Sequence, residues 1–193
     1  MTLRRSLALL GVSLGVLAAS VLGYRAGGRL AQPAPGSDGA AAAGLPRVGP
    51  SDWLEIPAPD VPFRTLDGTA ARLSDLRGQV VLVNFWGTWC PPCLAEIPEL
   101  IRAQARMEPL GATIVGPAIG SGAPDEIRSF AQEKGINYPV WIGRDEDAVG
   151  RFGAPGYPFT LLVDRDGVIR RTYIGPQREA TLLRDVEALL SGS

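Results

Sequence analysis

The chain has 193 residues, is 46% hydrophobic and carries a formal net charge of -1. That is enough apolar material for one packed domain, and too little charge to argue for nucleic acid or an acidic partner. It has no histidine, which excludes imidazole metal sites and every Ser–His or Cys–His mechanism.

The N-terminus reads as an export segment over residues 1–26. Arg4 and Arg5 precede an uncharged run, residues 7–24, made mostly of Leu, Val, Ala and Gly. At about 1.5 Å per residue this run can span a bilayer core. Ala18-Ala19-Ser20 offers a small-residue cleavage site. The apolar run continues through Val21 and Leu22 past that site, which favours an uncleaved signal anchor. On this reading the protein is single-pass in a bacterial cell membrane, with its domain on the extracytoplasmic (periplasmic) side; cleavage would yield a secreted form. Arginines flank both ends of the run, so charge alone orients it weakly. Residues 27–58 are rich in Ala, Gly and Pro and predict a flexible linker, followed by a domain over residues 59–193.

Within the domain, residues 62–66 and 70–73 read as short strands that turn at Asp67-Gly68. Residues 79–86 are a β-branched and aromatic run of the kind found in buried central strands. Residues 91–107 place Leu94, Ile97, Leu100, Ile101 and Gln104 at helical spacing, with Pro98 expected to kink the helix. Residues 112–118 follow as a strand, although Gly116-Pro117 argues for a bulge or a strand end. A helix is predicted over residues 124–134, with Pro at its start and Gly135 past its end. Then come a strand at 138–142, a short helix at 145–152, and strands at 159–164 and 168–174 joined at Asp166-Gly167. A helix over 178–190 closes the chain. Strands alternating with helices predict an α/β fold: a central mixed, largely parallel sheet with helices on both faces, an N-terminal β-hairpin extension and an antiparallel edge from the terminal hairpin.

The chemistry lies in Trp89-Cys90-Pro91-Pro92-Cys93, which holds both cysteines of the chain. Two cysteines cannot staple a fold, so they act on each other or on a partner. The pair sits where a buried strand meets a helix. A helix start presents unpaired N–H groups and positive dipole to Cys90, favouring its thiolate. Cys90 is then an exposed attacking group, and Cys93, one turn in, can resolve a mixed disulfide. A zinc site lacks further Cys or His ligands. A static disulfide over so short a loop adds little stability, and a Cu(I) site has only Met1 and Met107 to recruit.

The stretch Val81-Leu82-Val83-Asn84-Phe85-Trp86-Gly87-Thr88-Trp89-Cys90-Pro91-Pro92-Cys93 resembles the TlpA/ResA-like family of membrane-anchored, thioredoxin-like thiol–disulfide oxidoreductases. The resemblance includes Leu73-Ser74-Asp75-Leu76-Arg77-Gly78, Glu96, Pro98 and the segment Gly156-Tyr157-Pro158-Phe159-Thr160. It implies a thioredoxin-like fold, with Cys90 as nucleophile and Cys93 as resolving thiol. Pro158 matches the family's cis-proline, which presents the backbone of Tyr157 to an extended substrate. Glu96 matches an acidic residue near the active site, able to relay the Cys93 proton. Thioredoxin carries a buried Asp where this chain has Asn84. The alternative for Glu96 is a solvated acid in the first helical turn. Trp89, Pro91, Pro92 and Tyr157 line the substrate side in this reading, and Trp86 shields the thiols or is simply core.

The expected function is reduction of disulfides in exported proteins, for instance during cytochrome c maturation, with electrons from a membrane thiol donor. Clients are proteins with exposed cysteines or disulfides. No cofactor is expected beyond the redox-active Cys90–Cys93 pair, no metal and no nucleic acid. Alternatives are a disulfide-forming oxidant of the same fold, or a tethered non-enzymatic metallochaperone or docking module. A thiol peroxidase would need Thr and Pro where the chain has Gly87 and Val83. Pro91-Pro92 removes two N–H groups that would stabilise the thiolate, which favours the weaker oxidant.

Overall fold

A computed structural model describes residues 53–192. The anchor expected at 1–26 and most of the linker lie outside these residues. Among the described residues no helix is long and apolar enough to cross a membrane.

In chain order the elements are β1 (Ile56–Pro57), β2 (Phe63–Thr65), β3 (Ala70–Ala71), β4 (Val80–Phe85), α1 (Pro91–Met107), β5 (Ala112–Ile119), α2 (Pro124–Glu133), β6 (Val140–Gly143), α3 (Asp145–Gly150), β7 (Phe159–Val163), β8 (Val168–Ile174) and α4 (Glu179–Ser191). The strands form one sheet in the order β1-β8-β7-β4-β5-β6-β2-β3. Only β4–β5 and β5–β6 pair in parallel. The rest of the ladder is antiparallel, because β7 returns beside β4 and turns straight into β8 while the β2–β3 hairpin closes the far edge. The sheet is therefore mixed but not largely parallel.

All of β4 is buried, and its alternating side chains divide the core. Val80 and Leu82 pack with Leu100, Ala103 and Met107 of α1 and with Leu182 and Val186 of α4. Val81, Val83 and Phe85 pack on the other face with Phe63, Ala148 and Phe152. Ile127 and Ala131 of α2 join Ile97 of α1 and Ala118. Helices thus cover both faces, three on one side and α3 on the other. The same alternation turns Asn84 towards α1.

Two local expectations are corrected. The folded body takes in residues 53–58, which composition had placed in the linker. Leu54 N–H donates to the Arg170 carbonyl at 2.8 Å, Ala58 N–H to that of Gly167 at 2.9 Å, and the Arg171 guanidinium lies over the Trp53 ring. A two-residue strand ending in Pro has no periodicity to reveal it. Pro117, in turn, neither bulges nor ends its strand. The β4–β5 ladder lapses after Val83↔Val115 and resumes at Trp86↔Ala118, so the proline costs local pairing and leaves the strand intact to Ile119. Pro98 likewise lies inside α1, which runs on to Met107.

Candidate active site

β4 ends at Phe85, Trp86 bridges to Ala118, and the chain turns so that Cys90 caps α1. Cys90 N–H donates to the Gly87 carbonyl at 3.1 Å. Cys90 and Cys93 are joined as a disulfide, with their Cα atoms 5.3 Å apart. Pro91 and Pro92 fill the first two helical positions and have no N–H. The first donor of the helix that reaches the Cys90 sulfur is therefore the Cys93 N–H, at 3.3 Å. Cys90 is only 3% exposed and Cys93 1%. This corrects the expectation of an exposed Cys90: in the disulfide both sulfurs are covered, packed with Trp86, Ile97, Ala118 and Ile127.

Trp89 forms the rim and is 55% exposed. Its indole N–H donates to the Ile119 carbonyl at 2.9 Å. Its ring meets that of Tyr157 edge-on, centroids 5.8 Å apart. Tyr157 in turn donates its hydroxyl to Asp145 Oδ1 at 2.6 Å, and its ring packs against the cluster that holds the disulfide. Gly87 makes this arrangement possible, since a Cβ there would stand 2.6 Å from the Trp89 Nε1. Trp86 is core: it is buried beneath the cysteines and donates to the Gly116 carbonyl at 3.2 Å. The Tyr157–Pro158 peptide is cis. Pro91 and Pro92 stay exposed beside Cys90.

Glu96 is not a surface acid. It is 1% exposed and shares the Cys93 face of α1, three residues on. Its Oε1 accepts the Gln177 N–H at 2.7 Å and its Oε2 accepts from Asn84 Nδ2 at 3.1 Å. Burial raises its pKa to about 7, against the pull of those two hydrogen bonds. A carboxyl so placed can gain or lose a proton near neutral pH.

Sequence reasoning noted Asn84 only as a replacement for an acid. It missed its bond to Glu96, and it missed Thr160, Gln177 and Asp145. Polar residues inside the apolar runs of β4 and β7 were a legible signal, since buried polar groups are there to be bonded. The Gln177 donor is main-chain and left no trace in the side-chain pattern. Among the described residues no group of three or more His, Cys, Asp or Glu side chains could hold a metal ion.

A family model described as Redoxin matches residues 55–190. The chain belongs to the redoxin family. Within the redoxins it falls in the TlpA/ResA-like branch of thiol–disulfide oxidoreductases. The thiol-disulfide oxidoreductase ResA of Geobacillus thermodenitrificans (strain NG80-2) is 31% identical over 133 residues, which are 68% of this chain and 75% of that protein. A thiol:disulfide interchange protein of the thioredoxin family from Chlorobium tepidum TLS shares 29% identity at a TM-score of 0.62, covering 71% of this chain and 97% of that one. A putative thiol:disulfide interchange protein DsbE from Chlorobium tepidum shares 25% identity at a TM-score of 0.64, covering 70% and 96%. This redoxin domain has the thioredoxin-like fold and is a thiol–disulfide oxidoreductase.

Proposed function

We propose that the protein is a membrane-tethered, extracytoplasmic reductase of disulfides in exported proteins, with Cys90 and Cys93 as its dithiol. The observation that carries this reading is the capping geometry: the cysteine pair at a helix start, with a buried carboxyl on the face of the second cysteine. In the reductive cycle the Cys90 thiolate attacks one sulfur of a client disulfide. That bond breaks, a mixed disulfide forms, and the other client sulfur leaves as a thiolate that takes a proton from water. Glu96 accepts the Cys93 proton, the Cys93 thiolate attacks the Cys90 sulfur, the bond from Cys90 to the client breaks, and the second client sulfur departs as a thiolate that takes up a proton from water. Two electrons pass to the client and the Cys90–Cys93 disulfide remains. A dithiol donor in the membrane reduces it again.

The reducing direction is supported by the helix start. With proline at two successive positions, few N–H groups stabilise the Cys90 thiolate, which makes the disulfide the less oxidising. Trp89 and Tyr157 bound the approach to Cys90 and, with Pro91, Pro92 and Pro158, form the surface that a client strand meets. The uncharged run at residues 7–24 supports the tether. Clients in cytochrome c maturation or copper-site assembly fit this location and chemistry.

The test is insulin reduction together with the reduction potential of the Cys90–Cys93 couple. A reductase gives turnover with dithiothreitol and a potential near that of thioredoxin, roughly -270 mV. A potential close to that of a strong oxidant, roughly -120 mV, overturns the reducing direction. Carbonate extraction tests the tether; a soluble mature chain beginning near Val21 overturns it.

A further inference from the structure

We propose that Asn84 and Thr160 act as an uncharged clamp that positions Glu96 and tunes its proton exchange with Cys93. The inference rests on the reading of Glu96 as the proton carrier.

Asn84 and Thr160 stand directly opposite each other on the antiparallel β4–β7 ladder. Side chains of opposed residues share a face of the sheet, here the face covered by α1. Both are fully buried, in strands otherwise apolar. The Asn84 amide gives hydrogen bonds to two acceptors, Glu96 Oε2 at 3.1 Å and Thr160 Oγ1 at 2.8 Å. Turning the amide would keep a Thr160 bond, since the hydroxyl can also donate to the amide oxygen, but it would aim that oxygen at the carboxylate. The acceptor-only carboxylate therefore fixes which end of Asn84 faces it, and Thr160 anchors the amide in reach of Glu96.

An aspartate at position 84 would set a second carboxyl against the first, and the two could not both ionise. The amide instead donates, and it favours the carboxylate form without adding charge. The other groups facing Glu96 are few. Cys93 lies one turn earlier on α1, and Gln177 donates its main-chain N–H from the segment after β8. The buried Tyr138 phenol, just before β6, feels the Glu96 charge. Among the described residues the bonds to Glu96 come from Gln177 and Asn84, and neither is a cation.

The experiment uses the full chain with ¹³C-labelled glutamate. It follows the Glu96 carboxyl by NMR against pH in wild type, Asn84→Leu and Thr160→Val, alongside the pH profile of stopped-flow oxidation. Asn84→Leu removes a donor to a charged group, so the Glu96 midpoint should rise by about one to two pH units. Thr160→Val keeps the amide but removes the hydroxyl that anchors it, so its midpoint should rise by less. The rate profile should move with the midpoint. Midpoints that stay at the wild-type value in both variants overturn the clamp, while a Glu96→Gln variant that flattens the rate profile leaves the reading of Glu96 standing. A midpoint that moves without the rate profile, with Glu96→Gln unchanged from wild type, overturns both. Should Asn84→Leu not fold, the isosteric Thr160→Val decides alone.

Discussion

Replacing Glu96 by Gln removes a charge and keeps the side-chain shape, which makes its effect on stability calculable. In the unfolded chain the carboxyl titrates near 4.5, and in the fold burial lifts it to about 7. Between those values the folded chain holds a proton that the unfolded chain has released. Stability from this group is therefore full below pH 4.5 and falls as pH rises through about 7. At about 1.4 kcal/mol per pH unit, the interval amounts to about 3 kcal/mol lost by the alkaline side. Glutamine is neutral throughout, so the variant lacks this slope. Its amide N–H would face the Asn84 N–H, an offset of about 1 kcal/mol at every pH. The readout is thus the pH dependence of the difference between the two proteins. Guanidinium unfolding of the oxidised protein from about pH 5 to about pH 9 should show Glu96→Gln gaining on wild type by about 2–3 kcal/mol across the range. A difference that stays constant with pH refutes the reasoning. Over the same range, stopped-flow oxidation of the reduced variant should be slower by roughly one to two orders of magnitude at the resolving step. Superimposable rate profiles would return Glu96 to a structural role.

Cys93→Ser should accumulate mixed disulfides with clients, visible on non-reducing gels, while Cys90→Ser should abolish exchange; trapping through Cys93 instead would reverse the assignment. Gly87→Ala places a Cβ 2.6 Å from the Trp89 indole nitrogen. It should break the Ile119 bond, shift tryptophan emission and destabilise by about 1–3 kcal/mol, and unchanged emission would show that the rim is not held as described. Asp185 is buried and accepts from the Tyr173 hydroxyl at 2.8 Å and from Arg171 at 3.1 Å. Asp185→Ala should cost about 2–3 kcal/mol in denaturant unfolding with the reduction potential unmoved, and a loss below about 0.5 kcal/mol would show the hydroxyl finding another partner.

What the sequence determined by itself was local. The β-branched run that ends at Trp86, followed by Cys90 and two prolines, determined a strand-to-helix junction, and the structure places α1 at Pro91–Met107 as the spacing predicts. The three-residue step from Cys93 to Glu96 determined that they share a helix face. Spacing of this kind states the direction a side chain leaves its own element, and no more. Whether that direction leads to water was decided by Asn84, Thr160 and Gln177, brought from β4, β7 and the segment after β8. Their arrival makes Glu96 a buried acid titrating near neutral pH rather than a solvated one. The same holds for Cys90, which a helix start should expose and which the fold covers. Strand direction was also beyond the local pattern, because an apolar run reads alike whether its neighbours run with it or against it. The return of β7 beside β4, like that of β2 beside β6, is antiparallel, and the β4–β7 pairing set Thr160 opposite Asn84 under the helix that carries Glu96.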